Sequence, residues 1–279
     1  VAARAVVLVL TLALAGCAAP SVAPADGGPK VVGAAAGTYS RTVERAGRSI
    51  DVQIRVPEQT APRPVVLFSH GLGADASDYD VLLTAWADAG YAVVAPLYPN
   101  TRRGSTIVER DVLEQPADAS AVLDAVLADD ELGASLDPHR VIAAGHSAGG
   151  ITTLGLFTSS RDDRMRAGLV LSGAAIGVGA DFSGDPAPIL FVHGDADATV
   201  PYDSGLAAFE ADPWPAAFLT LHGAGHVLQT AGPNDPYFPS LRDASIAFFD
   251  AAVSSDTKSA DFGAIADVLG DGATLTARW

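Results

Sequence analysis

The stretch VIAAGHSAGGI, Val141 to Ile151, decides how the rest of the chain is read. Val141 to Ala144 is an apolar run long enough for one buried strand, and it breaks at once into Gly145, His146, Ser147, Ala148, Gly149 and Gly150. That order is strand, tight turn, helix start. In a GxSxG turn the small residues at either end let the backbone bend sharply, which lifts the serine oxygen off the sheet and aims the next peptide N–H at the same point. Ser147 is then a candidate nucleophile, and Ile151 to Phe157 continue as a buried helix. Because glycine, alanine and serine are abundant here, the motif gains its weight from what surrounds it.

Outward from this turn, apolar runs alternate with helical patterns. Thr38 to Glu44 and Ser49 to Val56 read as an antiparallel hairpin around Ala46 and Gly47. Val65 to Ser69, Tyr91 to Ala95, Ala167 to Leu171, Ile189 to Val192 and Ala217 to Leu221 read as strands, the last of them closing the sheet. Asp78 to Ala89, Asp118 to Ala128 and Leu241 to Ala252 read as helices; in the second, Ala119, Val122, Leu123, Val126 and Leu127 share one face. Leu97 to Ser105 is expected as a loop near the mouth of the site. The alternation argues for a mainly parallel sheet with helices on both faces.

Two further segments supply partners for Ser147. Val65 to Ser69 ends in His70, Gly71, Leu72 and Gly73, a loop whose glycines allow close backbone approach, so the amides of Leu72 and Ala148 can form an oxyanion hole. The strand at Ile189 to Val192 leaves into His193, Gly194, Asp195, Ala196 and Asp197, where either aspartate can orient an imidazole. Asp195, Asp197 and Thr199 also have the first, third and fifth spacing of a calcium loop, but Val200 stands where that loop needs glycine and Leu206 where it needs glutamate. His226 lies in a glycine-containing loop beyond the next strand, while His222 at the strand end is expected to pack. Apolar Leu72, Ile151 and Val200 are candidates for a substrate pocket. His70, His139, His146 and His193 make no metal-ligand spacing, and no phosphate-cradling motif occurs. Neither a metal nor another cofactor is expected.

A chain of 279 residues with 49% hydrophobic residues can bury one large core, and a net charge of −16 argues against nucleic acid as a partner. Val1 to Ala15 is apolar with a single basic residue, Arg4, and has the size of a secretory core segment. It runs into Leu14, Ala15, Gly16 and Cys17, the chain's single cysteine, which excludes an internal disulfide. Residues 18–37 read as a flexible tether, 38–253 as the folded domain, and 254–279 as an extension of unassigned role in which Phe262, Ile265, Val268 and Leu269 can form a short helix.

Residues from about Thr38 to Val253 resemble secreted bacterial α/β-hydrolases of the dienelactone hydrolase-like and platelet-activating-factor acetylhydrolase-like group, related to cutinases. The matching segments are VLFSHGLG (Val66 to Gly73), GYAVVAP (Gly90 to Pro96), GHSAGG (Gly145 to Gly150), ILFVHGDAD (Ile189 to Asp197) and GAGH (Gly223 to His226). The resemblance implies the α/β-hydrolase fold, with a mostly parallel central sheet of about eight strands. It implies a serine carboxylic-ester hydrolase with Ser147, Asp197 and His226 as triad and the Leu72 and Ala148 amides as oxyanion hole. Asp195 is then a turn former. The Leu-Ala-Gly-Cys ending resembles a bacterial lipoprotein signal and implies export, with membrane attachment through a lipid on Cys17; ordinary secretion is the alternative. Dienelactone hydrolases typically carry cysteine as nucleophile, where this chain has Ser147. Acyl transfer, peptide cleavage and non-catalytic binding are the competing expectations.

Overall fold

The computed structural model describes residues 36–58, 62–226, 232, 234–254 and 262–278. The segments read as leader and tether, with Cys17, lie outside the described residues as far as residue 35, as do 255–261 of the segment read as an extension.

The chain opens on the hairpin of β1 (Gly37–Arg45) and β2 (Arg48–Val56). Then follow β3 (Arg63–Ser69), a 3-10 turn leading into α1 (Asp80–Asp88), and β4 (Ala92–Leu97). A 3-10 helix, Glu109–Glu114, runs directly into α2 (Gln115–Leu127), with Pro116 in the first turn, where its missing N–H costs no hydrogen bond. β5 (Leu136–His146) leads into α3 (Ala148–Gly155), and β6 (Met165–Leu171), β7 (Ile189–Gly194), α4 (Tyr202–Ala211), β8 (Ala216–Leu221), α5 (Phe238–Ser254), α6 (Gly263–Ala266) and β9 (Ala273–Arg278) complete the order.

Nine strands form one sheet in the order β1-β2-β4-β3-β5-β6-β7-β8-β9. From β4 to β8 every pairing is parallel, whereas β1, β2 and β9 pair antiparallel at the two edges. Both faces are covered, which is why the inner strands read as unbroken apolar runs. Val66 and Phe68 of β3 face one core with Trp86, Tyr91, Phe248 and Phe249, and Val65 and Leu67 face the other with Val122, Leu123, Leu154 and Phe157. The C-termini of parallel β3, β5 and β7 therefore lie at one rim, β3 beside β5 and β7 beyond the intervening β6, and each releases a loop that carries a candidate site residue.

The sheet has one strand more than the expected eight, and Ala216–Leu221 does not close it. β9, from the segment read as an unassigned extension, pairs along β8 from Ala216↔Arg278 to Leu221↔Ala273. Arg278 Nη2 donates to the carbonyls of Phe209 and Asp212 at the end of α4, and its guanidinium lies 4.7 Å from the Phe209 ring centroid. Beside it the Asp212 carboxyl is buried; Oδ1 accepts from the Trp214 amide at 2.9 Å, but Oδ2 has no partner among the described residues.

Burial pushes the Asp212 carboxyl up to about 7. A carboxyl raised in the folded state keeps its proton there while the unfolded chain loses it, so stability is full below about pH 4 and falls as pH rises toward 7. Asp212→Asn keeps the Oδ1 acceptor and removes the charge. The variant is expected to be more stable than the parent at pH 8, with a gain of roughly 4 kcal/mol at about 1.4 kcal/mol per pH unit of the shift, and to show no gain at pH 4. Denaturant melts at the two pH values measure this.

Candidate active site

Ser147 sits between β5 and α3 with φ 56° and ψ −117°, a left-handed conformation that a non-glycine residue adopts at a cost of about 1–3 kcal/mol. Its flanking glycines are a steric requirement: a Cβ on Gly145 would lie 2.1 Å from the Gly149 carbonyl oxygen, and one on Gly149 would lie 2.0 Å from that of Ser69. The turn is held by the Ser147 amide donating to Leu171 O of β6 at 2.9 Å and by the Gly150 and Ile151 amides donating to Ser147 O. Ala148 is the first residue of α3, where the opening amides of a helix have no partner inside it.

The loop after β3 is fixed by side chains that the sequence reading left without a role. Buried His70 donates through Nδ1 to Gly71 O at 2.8 Å, and its Nε2 accepts from the Tyr98 amide at 3.1 Å. Those two bonds define a neutral ring, and burial lowers the His70 pKa accordingly. The Gly71 amide donates to Tyr79 Oη at 3.0 Å, and Gly73 donates to Thr101 O at 2.7 Å. Leu72 is thus held at the rim between two anchored neighbours.

Asp197 and His226 meet directly, with Nδ1 to Oδ2 at 2.7 Å. Oδ1 of Asp197 accepts from the amides of Thr199 at 2.8 Å and Val200 at 2.9 Å, and His193 Nε2 stands 3.4 Å from Oδ2. Burial alone would push this carboxyl up. The bonds from His226, Val200 and Thr199 outweigh it and hold the group below the ordinary carboxylate range. With Nδ1 engaged by Asp197, Nε2 is the ring nitrogen left for proton transfer.

The His226 ring lies 4.6 Å, centroid to centroid, from that of His146, the residue before Ser147. His146 is fully buried, and its Nδ1 pairs with Tyr79 Oη at 2.8 Å. Burial is the main cause that lowers its pKa to about 3, so a neutral ring underlies His226.

Ser147, Leu72, Ala148, Ile151 and Val200 line one pocket of about 360 Å³. Every residue that the sequence reading placed in the oxyanion hole or the substrate pocket is in that lining. Three of the five exposed large apolar side chains among the described residues, Leu72, Leu113 and Ile176, also border it. The expected mouth loop Leu97 to Ser105 is not in the lining but holds the loop of Leu72 through Tyr98 and Thr101. The wall comes instead from Glu109, Arg110, Val112 and Leu113, which sequence reading passed over; the signal available was Pro116, marking a helix start just behind them.

Asp195 stands in the turn after β7, as expected, but His222 differs from expectation. His222 is not packed: it is half exposed, with Nδ1 2.9 Å from Asp195 Oδ2 and Nε2 2.7 Å from Thr274 Oγ1 of β9. Asp195 additionally accepts from the Gly223 amide at 2.7 Å. Two His–Asp pairs therefore tie the loop after β7 to the loop after β8, and only the Asp197 pair is buried. Among the described residues no group of three or more histidine, cysteine, aspartate and glutamate side chains has a metal-binding arrangement.

Comparison with known proteins bears on the fold that carries this geometry. Residues 60–187 match the family model described as serine aminopeptidase, S33. A candidate esterase, NocK, of Nocardia uniformis subsp. tsuyamanensis is 31% identical over 229 residues, covering 74% of this chain and 66% of that protein, about two thirds of its length. Among solved structures, Est1E from Butyrivibrio proteoclasticus superposes with TM-score 0.59 at 17% identity over 77% of this chain and 99% of that one. The acylaminoacyl peptidase of Pyrococcus horikoshii superposes with TM-score 0.67 at 16% identity over 83% of this chain and 44% of that one. The sheet order, the strained serine turn and these likenesses together make the chain an α/β-hydrolase by fold, an architecture that esterases and peptidases share.

Proposed function

We propose that the chain is a serine hydrolase that cleaves carboxylic esters through an acyl-enzyme. The observation that carries this reading is Ser147, held at positive φ in the wall of an apolar pocket, with the Asp197–His226 pair reaching the adjoining residue. In the reaction, Ser147 Oγ attacks the ester carbonyl carbon as His226 Nε2 takes the hydroxyl proton. The carbonyl oxygen gains charge between the amides of Leu72 and Ala148. Collapse breaks the C–O bond, and the departing alkoxide takes the proton from His226. Water then gives a proton to the same nitrogen, attacks the acyl carbon and releases the acid, restoring Ser147. Asp197 holds the ring with Nδ1 protonated and stabilises the imidazolium that forms twice per turnover.

The S33 family description gives peptide cleavage specific support as a second reading. Leaving group separates the two once the acyl group is shared. On the p-nitrophenyl ester and the p-nitroanilide of one acyl group, tried with butyryl and with alanyl, the ester reading expects ester kcat/KM to exceed that of the anilide by about 100-fold or more for both, the scale on which a mismatched site discriminates. Anilide turnover equal to or above ester turnover would replace it with the peptidase reading. Export and a lipid on Cys17 belong to the same proposal and are supported by the run Leu14 to Cys17; so does kinship with the dienelactone hydrolase-like group, supported by the quoted motifs.

A further inference from the structure

The wall helix Glu109–Glu114 presents four of its six residues, Glu109, Arg110, Val112 and Leu113, to the pocket that holds Ser147. Asp111, in the middle, turns the other way. It is received by Arg48, the first residue of β2, in a two-pronged pair: Nη1 to Oδ1 and Nη2 to Oδ2, each 2.6 Å. Asn100 Nδ2 adds a bond to Asp111 Oδ1 at 3.1 Å. Arg48 is itself fixed from behind by Asp118 of α2, with Nε to Oδ2 at 2.9 Å, and Arg45 shares that fully buried carboxylate at 2.8 Å. A short 3-10 helix has poor internal hydrogen bonding. An outside clamp of charge-assisted, geometrically matched bonds is therefore what fixes its position.

We propose that Arg48 is a specificity-determining positioning residue. Through Asp111 it sets the wall of the acyl pocket and thereby the chain length the site accepts. This rests on the ester reading of that pocket. The side-chain hydrogen bonds of Arg48 run to Asp111 and Asp118, neither of which lines the pocket, so its influence is on fit and not on the bond-breaking step. A two-carbon acyl group fills little of about 360 Å³ and hardly meets the wall; an eight-carbon chain must lie along it.

The test compares Arg48→Lys and Asp111→Asn with the parent on p-nitrophenyl acetate and octanoate, and by labelling with a fluorophosphonate. Lysine keeps the charge but cannot serve Asp111 with two prongs while also holding Asp118. In each variant the octanoate-to-acetate ratio of kcat/KM is expected to fall by about tenfold, the scale of a lost pocket contact, and mainly through a higher KM. The double variant is expected to fall no further than the worse single, because both changes break one link. A ratio equal to the parent's in variants that still take up one fluorophosphonate per chain would overturn the role of Arg48, and so would equal losses on both esters. Should Arg48→Lys not fold, Asp111→Asn, which preserves the side chain's shape, carries the same expectation. A parent that takes up no label and cleaves neither ester would bring down the ester reading itself, and with it this inference.

Discussion

Ser147→Ala is expected to lower ester turnover by about 10⁴–10⁶-fold and to abolish fluorophosphonate labelling. In the proposed scheme the hydroxyl supplies the bond that makes the acyl-enzyme, and water placed in the same pocket lacks its fixed orientation. The residual rate over solution reflects whatever the Leu72 and Ala148 amides still stabilise. Alanine keeps a Cβ and hence the strain of φ 56°, so the melting temperature is expected to stay within a few degrees of the parent's. Ser147→Gly makes the sharper contrast. Glycine relieves the left-handed strain, and that variant is expected to be equally inactive yet more stable by about 1 kcal/mol. Activity and stability moving in opposite directions at one position would mark a conformation kept for chemistry. Full turnover in Ser147→Ala would remove the nucleophile from the scheme.

What the sequence made legible follows from where the information is local. The inner strands are buried on both faces, so β3, β4, β6 and β7 appear as short apolar runs, and the GxSxG turn carries its own steric demands in Gly145 and Gly149. The pocket wall was not legible. Glu109, Arg110, Val112 and Leu113 have no single apolar period, and the helix they form is clamped by Arg48, 63 residues away from Asp111. The last strand was missed for a related reason. Ala273–Arg278 presents no buried face, its pattern alternating between half-buried and exposed, and it is held by register with β8 and by the contacts of Arg278. His222 is expected to pack because it lies at the strand end. Its direction is set instead by Asp195 and Thr274, one 27 and the other 52 residues distant. The choice between Asp195 and Asp197 was open at the level of residues, since both sit in one loop and both end opposite a histidine. What separates them is burial: the Asp197 side chain is 0% exposed and that of Asp195 37%.

That difference gives the second large effect. Asp197→Asn is expected to lower kcat by about 10⁴-fold with the fold intact, and Asp195→Asn by less than about threefold. In the Asp197 variant the remaining carbonyl oxygen keeps its bonds from the Thr199 and Val200 amides, so the new NH₂ group is turned toward His226 Nδ1, 2.7 Å from the position it replaces. An amide N–H there must be accepted by Nδ1, which moves the ring proton to Nε2. His226 then presents a donor to Ser147 where an acceptor is required, and the stabilising charge behind the imidazolium is gone. At Asp195 the same change acts on an exposed pair with His222, in high dielectric and away from the reacting atoms. Raising the pH sharpens the comparison: hydroxide can take the Ser147 proton in place of a ring that presents the wrong tautomer, so part of the Asp197→Asn rate is expected to return at high pH, whereas Asp195→Asn follows the parent's profile. Steady-state kinetics from pH 6 to 10 on both variants decide it. Equal losses in the two would mean that neither carboxylate is privileged, and a loss confined to Asp195→Asn would transfer the orienting role to the exposed His222 pair.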